Sequence, residues 1–404
     1  MVSMEFSKRT AWNTEESDLA RAYRDRLDAG LPVADLTASN PTRCGFEYAA
    51  NLLDPLIGPG AFDYDPDPRG TLEARKAVCR YYARHEVHVS PEQIMLTTST
   101  SEAYGYLFKL LMNPGDTIFV PQPGYPLFDF LAQAESVELA QAPLFYDHGW
   151  QLDLEGLRQQ ITARTRAVVL VHPNNPTGHF TKLNEAKDLA AICREHGLAL
   201  IVDEVFLDYA LDSSDPWPDH CSFAARDLGV PTFIVSGISK ICGLPQMKVA
   251  WLVARGPDSQ QALARLEVLA DTWLSMNAPI QQAFPIWLDA RDIIQGQIRQ
   301  RVRENLAELD RALTGQSQDG GEALVNRLRI EGGWYAILRI PALHRDEVTV
   351  RELLDLGVWV HPGYFFGMSP SGWLVVSLLT PILEFSTGLS VLLVYLHQNH
   401  KSYL

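Results

Sequence analysis

The chain has 404 residues, of which 47% are hydrophobic and 21% are charged, and its formal net charge is −15 at pH 7. This length and apolar content predict a globular protein with a large core and two or three domains. The negative charge argues against a nucleic-acid-binding protein. Such a protein needs a basic surface, and the sequence has neither a basic stripe nor an arginine-rich tail.

The cysteines and the apolar segments indicate the compartment of the protein. Its five cysteines are odd in number and include no CxxC pair, which is typical of reduced thiols in a cytosolic protein. Residues 1–9 contain no apolar segment of the secretory kind, and the apolar run 391–396 is too short to span a bilayer. No group of His, Cys, Asp and Glu has metal-ligand spacing. We therefore expect a cytoplasmic protein without a metal or a membrane contact.

Apolar strands alternate with helical segments along the first part of the chain. Strands are predicted at residues 94–97, 117–120, 167–171, 198–202 and 232–235, and helices at residues 101–112 and 183–195. Residues 113–116 form a predicted turn, and Gly197 closes the second helix. This order predicts an α/β fold with a mostly parallel sheet covered by helices on both faces.

The second part of the chain is predicted to form a smaller α+β domain. A helical pattern over residues 281–313, interrupted by Pro285, joins it to the large domain. Predicted strands lie near residues 327–330 and 373–377. We predict an N-terminal arm that joins the small domain, a large domain and a small C-terminal domain, over residues 1–47, 48–280 and 281–404.

Three polar side chains follow predicted strands of the parallel sheet. Asn175 follows the strand 167–171, Asp203 directly follows the strand 198–202, and Lys240 follows the strand 232–235. In open α/β sheets, ligands bind at the carboxyl ends of the strands. The three residues are therefore expected to meet in one crevice.

Their chemistry is that of a pyridoxal-phosphate site. A lone lysine behind small hydroxyl residues, as in Ser236-Gly237-Ile238-Ser239-Lys240, is how such enzymes hold the cofactor as a Schiff base. A carboxylate such as Asp203 keeps the pyridine nitrogen protonated, and the Asn175 amide can hydrogen-bond the ring hydroxyl. Over residues 35–377 the chain resembles the class I/II aminotransferases, the fold-type-I pyridoxal-phosphate family, and we expect their fold.

The resemblance implies further cofactor-binding residues. The strand-to-helix junction 98–102 corresponds to the family's phosphate-binding turn, where Ser99, Thr100 and Ser101 offer hydroxyls and backbone N–H groups. Ser239 is implied as another hydroxyl for the phosphate. Lys248 stands where the family usually has an arginine, so that the charge is kept and the bidentate fork is lost.

Two tyrosines also match family positions. Tyr125 corresponds to the aromatic residue that stacks on the pyridine ring, although a tyrosine of the core is an equal alternative. Tyr64 resembles the tyrosine that reaches the phosphate of the partner subunit. The resemblance therefore implies a homodimer.

The sequence departs from the family at two positions. Phe206 stands where a tyrosine commonly hydrogen-bonds the ring oxygen of the cofactor. Val375 stands where an arginine commonly binds the α-carboxylate of the substrate, and a valine cannot bind a carboxylate. The family's substrate-covering segment matches residues 35–43. We therefore expect Ser39 and Arg43, together with Asn175, to bind the substrate, with Arg43 replacing the missing arginine.

Three functions agree with these residues. The first is transfer of an amino group between an amino acid and a 2-oxo acid, with Lys240 as Schiff-base lysine and proton relay. The second is another pyridoxal-phosphate reaction on an amino acid or amine, namely that of a lyase, decarboxylase or oxidase, which Phe206 and Val375 favour. The third is a non-catalytic sensor, as in fused transcription regulators. It is disfavoured, because a basic DNA-binding domain should precede the fold and this sequence has only a short arm there.

Overall fold

The computed structural model describes residues 4–211, 220–315 and 324–403. Its helices are α1 (Asp18–Asp28), α2 (Leu72–Ala83), α3 (Thr100–Leu111), α4 (Leu127–Ala134), α5 (Leu154–Gln160), α6 (Leu183–His196), α7 (Ile238–Ile241), α8 (Ser259–Trp273), α9 (Ala278–Asp289), α10 (Asp292–Gly315), α11 (Asp346–Asp355) and α12 (Ile382–Tyr403). Within the described residues, none of these helices is both long and apolar enough to cross a membrane. The cytoplasmic location stays a prediction.

The strands are β1 (Ala34–Asp35), β2 (Ile94–Thr97), β3 (Thr117–Gln122), β4 (Glu138–Tyr146), β5 (Trp150–Leu152), β6 (Thr165–Val171), β7 (Ala199–Asp203), β8 (Thr232–Gly237), β9 (Ala250–Arg255), β10 (Asn326–Arg327), β11 (Tyr335–Arg339), β12 (Val358–Trp359), β13 (His361–Pro362) and β14 (Trp373–Ser377). The largest sheet has eight strands in the order β2-β9-β8-β7-β6-β3-β4-β5. The central strands β8, β7, β6, β3 and β4 are parallel, and β9 and β5 are antiparallel to their neighbours. The predicted mostly parallel sheet is confirmed.

Strands in the middle of the sheet, such as β7, are apolar on both faces because helices cover both faces of the sheet. In β7, Leu200 and Val202 pack into one hydrophobic cluster, and Ala199 and Ile201 pack into the other. Helices α2, α6 and α9 contribute to the first cluster, and α3 and α8 to the second. Successive side chains of a strand point to opposite faces, so the uninterrupted apolar run is what this layered arrangement requires.

The second half of the chain forms a smaller, antiparallel sheet in the order β10-β11-β14-β13. The N-terminal strand β1 pairs in parallel with β12, which connects the start of the chain to this part of the fold. The predicted fold class, a large parallel sheet plus a smaller α+β unit, is confirmed. The boundaries at residues 47 and 280 stay a prediction, and the first three residues of the arm lie outside the described residues.

Two local predictions for the second half are wrong. Helix α9 continues through Pro285 to Asp289, and the break lies between α9 and α10. Burial of Phe284 and Leu288 on either side of the proline favours the continuous helix, so tertiary packing outweighs the lost hydrogen bond. The strand predicted at residues 327–330 is limited to β10, which ends at Arg327.

Candidate active site

A cavity of about 300 Å³ lies at the carboxyl ends of β6, β7 and β8. The predicted site residues that line it are Ser39, Ser99, Thr100, Ser101, Tyr125, Asn175, Asp203, Ser239, Lys240 and Lys248. Of the predicted site residues, Tyr64 and Arg43 lie elsewhere in the structure. The cavity therefore unites residues from distant parts of the sequence, as the strand-end argument predicts.

Lys240 reaches the cavity because β8 turns directly into the short helix α7. A Cβ atom at Gly237, the last residue of β8, would lie 3.0 Å from the carbonyl oxygen of Val249 and 3.0 Å from the Cβ of Ala250. The Ile238 N–H donates to that same Val249 carbonyl at 3.0 Å. This close approach of two backbones favours glycine and starts the helix that carries the lysine.

The Lys240 side chain has an aromatic wall on one side. Its Nζ lies 5.2 Å from the ring centroid of Trp334 and 5.8 Å from that of Phe206. Burial lowers the pKa of Lys240, and the charge of Asp203 acts in the opposite direction. An amine with a lowered pKa is a better nucleophile and base at neutral pH than an exposed lysine.

Asp203 is the last residue of β7 and is 8% exposed. The Val205 N–H donates to its Oδ1 at 3.0 Å, and the Tyr104 hydroxyl donates to its Oδ2 at 3.1 Å. Burial raises the pKa of Asp203 to about 6, while these two donors and Lys240 act to lower it. Each carboxylate oxygen of Asp203 is therefore held by one donor. The carboxylate faces the cavity and is largely shielded from solvent.

Asn175 lies in the loop that follows β6. The neighbouring Asn174 shapes this loop, because its Oδ1 accepts the Thr177 hydroxyl at 2.9 Å and its backbone oxygen accepts the Gly178 N–H at 2.8 Å. Asn175 Oδ1 is buried and has no hydrogen-bond partner among the residues that the structure describes. A buried amide oxygen of this kind calls for a ligand or water to complete it.

The start of α3 also lines the cavity. Ser99 is the N-cap residue, and its hydroxyl accepts the Glu102 N–H at 3.1 Å. Glu102 in turn accepts the Thr98 N–H at 2.7 Å, which closes the turn. The first N–H groups of a helix have no intrahelical acceptor, so those of Thr100 and Ser101 are available to an anion.

Lys248 and Ser239 line the same cavity, and Lys248 adopts a left-handed backbone with φ 54°. Tyr125 stands at the mouth, with 49% of its surface exposed. The turn before it requires glycine, because a Cβ at Gly124 would lie 2.1 Å from the Pro121 carbonyl oxygen. The half-exposed Tyr125 ring is therefore a wall of the cavity and not a residue of the core.

The structure also answers a question that the sequence leaves open. Tyr209 could have supplied the hydroxyl that is missing at Phe206. Its hydroxyl instead donates to the backbone oxygen of Lys240 at 2.7 Å, and its ring packs on Trp334. Tyr209 therefore stabilises the turn that carries Lys240.

Tyr64 and Arg43 are both exposed at the surface. Tyr64 is 81% exposed and lines a separate, open depression of about 680 Å³. Arg43 ends the 3-10 turn Pro41–Arg43, a short distance along the chain from Ser39. Within the described residues, the cationic side chains that line the cavity are Lys240 and Lys248.

Val375 lies in the middle of the smaller sheet. It is fully buried and pairs with Ile337 of β11 on one side and with His361 of β13 on the other. Leu374 and Val376 are equally buried. The middle of β14, where the resemblance places the family's arginine, therefore carries only hydrocarbon side chains, Leu374, Val375 and Val376.

Sequence reasoning missed three aromatic residues of the site. Tyr104 bonds Asp203, Trp334 lies beside Lys240, and Tyr335 lines the cavity near Ser39. Burial raises the pKa of Tyr335 to about 12, and a hydrogen bond with Ser39 opposes this. Trp334 and Tyr335 follow the glycine pair Gly332-Gly333, which is a weak local signal for a turn close to another backbone.

Comparison with known proteins agrees with this geometry. Residues 58–381 match the family model described as aminotransferase class I and II. The chain belongs to this family. The resemblance that the sequence suggests is thereby confirmed, and the family depends on pyridoxal phosphate.

Several known proteins resemble the chain to different extents. Glutamate-pyruvate aminotransferase AlaA of Escherichia coli strain K12 is 31% identical over 261 residues, and the chain spans 63% of its length. S-alkyl-thiohydroximate lyase SUR1 of Arabidopsis thaliana is 30% identical over 240 residues, which cover 58% of this chain and 49% of that protein. A solved alanine aminotransferase from Pyrococcus furiosus has a TM-score of 0.86 at 22% identity, covering 98% of this chain and 100% of that chain, which establishes the shared fold.

Proposed function

We propose that this chain is a pyridoxal-phosphate-dependent aminotransferase that moves an amino group between an amino acid and a 2-oxo acid. The observation that carries the proposal is the meeting of Lys240, Asp203 and Asn175 in one cavity that the N-terminus of α3 also lines. Relatives named as aminotransferases support the reaction type.

The cavity has the donors that pyridoxal phosphate requires. Ser99, Thr100, Ser101, Ser239 and Lys248 would hold the phosphate with hydroxyls, backbone N–H groups and a positive charge. The side chain that would face the ring hydroxyl is Asn175, whose amide oxygen lacks a partner in the described chain. Tyr125 would cover one face of the ring. When bound, this cofactor supplies an aldehyde that reacts with amines and a ring that accepts electrons.

Lys240 has two tasks in this proposal. Its amine would hold the cofactor covalently, and the freed Nζ would act as the base and acid that moves the proton of the substrate Cα. Burial supports both tasks, because it lowers the pKa of Lys240 and so increases the fraction of the amine that is uncharged. Asp203, which ends β7 and lines the cavity, would hold the proton of the ring nitrogen.

The half-reaction with single amino acids tests the function. Purified protein loaded with pyridoxal phosphate is mixed with one amino acid at a time, and conversion of the cofactor to its amine form is followed by absorbance. A 2-oxo acid released in equal amount, and reversal by a second 2-oxo acid, support transfer. Absence of conversion with every amino acid contradicts it.

A lyase reaction is the second candidate. Val375 in place of an arginine and the similarity to a protein named as a lyase favour it. The same assay separates the two functions, because elimination releases ammonia and leaves the cofactor in its aldehyde form. Ammonia release without conversion of the cofactor would favour the lyase.

Arg43→Ala is predicted to weaken binding of the substrate carboxylate. Arg43 lies at the surface four residues beyond Ser39, which lines the cavity, and it is the only lysine or arginine in the sequence between Asp35 and Arg69. Loss of the charged partner of a carboxylate costs on the order of 2–4 kcal/mol of binding free energy. We expect the KM for the amino acid to rise accordingly, the cofactor spectrum to stay unchanged, and Arg43→Lys to recover part of the loss. Normal kinetics in Arg43→Ala would rule out this role.

We also infer a homodimer. Phe62 and Tyr64 are 93% and 81% exposed, and they line one open depression together with Leu274 and Pro285. The nearby Trp273 is 60% exposed. An exposed apolar surface of this kind favours a protein partner, and closed two-fold symmetry is the commonest arrangement.

Mixing Tyr64→Phe subunits with Lys240→Ala subunits is predicted to restore activity if Tyr64 serves the partner's site. Each mixed dimer then has one site with both wild-type residues, so about a quarter of all sites are intact after random exchange. The measurement is amino-group transfer after co-refolding, compared with the sum of the separate parents. Activity equal to that sum means that Tyr64 acts within its own subunit or not at all.

A further inference from the structure

The hydroxyl of Tyr104 makes a contact that the reaction outlined above does not use. It donates to Asp203 Oδ2 at 3.1 Å, and the Val205 N–H donates to the other oxygen at 3.0 Å. Tyr104 is 3% exposed and Asp203 is 8% exposed, so little water competes for either group. Tyr104 and Asp203 both line the cavity.

The core sets the direction of the Tyr104 hydroxyl. Its ring packs edge-on against Phe128 with centroids 5.2 Å apart, and it contacts Phe108 one turn along α3 at 6.1 Å. Burial raises the pKa of Tyr104 well above the ordinary value for tyrosine. The phenol therefore keeps its proton and acts as a donor throughout the range in which a protein of this kind works.

A donor on the carboxylate affects where a shared proton resides. A buried carboxylate and a ring nitrogen that share one proton can hold it on the oxygen or on the nitrogen. Hydrogen bonds donated to the carboxylate stabilise its ionised form and so favour the proton on the nitrogen. In Asp203 one donor is a backbone N–H, and the other is the phenol of Tyr104.

We propose that Tyr104 is a positioning residue that orients and ionises Asp203, so that the shared proton stays on the ring nitrogen of pyridoxal phosphate. This inference rests on the proposed function and deepens it. The proton count does not change, because Tyr104 retains its own proton and the shared proton alone moves between Asp203 and the ring. The protonated ring accepts electrons better, so Tyr104 contributes to the rate through Asp203.

Tyr104→Phe is predicted to move the shared proton toward Asp203. With ring-¹⁵N-labelled pyridoxal phosphate bound to the full chain, we expect the nitrogen chemical shift to move toward that of an unprotonated pyridine. The half-reaction should slow about tenfold, the scale of one hydrogen bond to a charged group. The dissociation constant of the cofactor should change little, because Asp203 bonds the ring with the proton in either position.

Two further measurements separate this role from a structural one. Fluorotyrosines of increasing acidity at position 104 keep the ring in place, and the nitrogen shift should follow the acidity of the phenol. Tyr82→Phe is the matched control, because Tyr82 is fully buried and its hydroxyl bonds the Trp251 indole at 3.3 Å, away from the cavity. We expect Tyr82→Phe to leave the nitrogen shift unchanged.

An analogue of the cofactor with carbon in place of the ring nitrogen completes the test. With this analogue the proposal requires equal rates for the wild type and Tyr104→Phe. An unchanged nitrogen shift in Tyr104→Phe, with the cofactor bonded to Lys240, overturns the inference and leaves the proposed function intact. A wild-type chain without a covalent cofactor on Lys240 contradicts the proposed function itself.

Discussion

Lys240→Ala is expected to lose the covalent link to pyridoxal phosphate and to transfer amino groups on the order of 10⁴-fold more slowly than the wild type. Alanine offers neither the amine that bonds the cofactor nor a base for the substrate Cα proton. The link is measured by borohydride reduction, digestion and mass spectrometry of the labelled peptide. The rate is measured in single turnovers, so that weaker cofactor binding does not mask the chemical step.

Lys248→Ala provides the control, because Lys248 is the other lysine that lines the cavity. It is expected to keep the adduct on Lys240 and to bind the cofactor more weakly, through loss of a charge near the phosphate. If Lys240→Ala still gave a stoichiometric pyridoxyl adduct, the lysine assignment would be wrong. An adduct confined to Lys248 would exchange the roles of the two lysines.

The residues that meet at the strand ends could be predicted from the sequence. Asn175, Asp203 and Lys240 each follow an apolar run, and parallel strands deliver their carboxyl ends to one edge of the sheet. The large sheet was predictable for the same reason, since strands buried on both faces, such as β7, read as uninterrupted apolar segments.

The residues that tune the site could not be predicted, because they act through tertiary contacts without a local signal. Tyr104 looks like an ordinary apolar-face residue of α3, and its value depends on an aspartate that lies far along the chain. Trp334 comes from the second half of the sequence and packs on Phe206 with centroids 5.2 Å apart. Neither contact follows from periodicity or propensity.

Packing also overrides local rules in the helix that carries Pro285. A proline in a helical pattern predicts a break at the preceding residue. Here Phe284 and Trp287 anchor α9 in the core, and Trp287 donates its indole N–H to the Leu52 backbone oxygen at 2.7 Å. These contacts make the continuous helix more stable than the broken one.

The site combines polar side chains with an aromatic wall. Asp203 and Asn175 line the cavity, and Phe206 and Trp334 form the wall beside the lysine amine. The wall lowers the local polarity, which favours the free amine and strengthens every charge interaction that remains. A buried amine with a lowered pKa beside a buried carboxylate with a raised pKa is an arrangement that functional sites use for proton transfer.

Asp203→Asn is expected to keep most of the cofactor affinity and to slow the half-reaction on the order of 10²–10³-fold, the range for loss of one preorganised charge. An amide has the shape of the carboxylate, and its single oxygen keeps one of the two hydrogen bonds from Tyr104 and Val205, so the local structure should persist. It cannot hold a proton on the ring nitrogen, and the substrate carbanion then lacks its electron sink. Cofactor affinity is measured by titration of the apo protein, and the rate by stopped-flow absorbance.

Glu204→Gln is the control for this prediction, because Glu204 is the adjacent buried acid. It accepts the Ser222 hydroxyl at 2.7 Å and the Phe223 N–H at 2.6 Å and does not line the cavity. Burial raises the pKa of Glu204 from 4.5 to about 7, so its stabilising contribution is complete below pH 4.5 and is lost as the pH rises through 7. Glu204→Gln should therefore alter the pH dependence of the unfolding free energy and spare the half-reaction. If Asp203→Asn turned over as fast as Glu204→Gln, the Asp203 carboxylate would have no part in the chemistry.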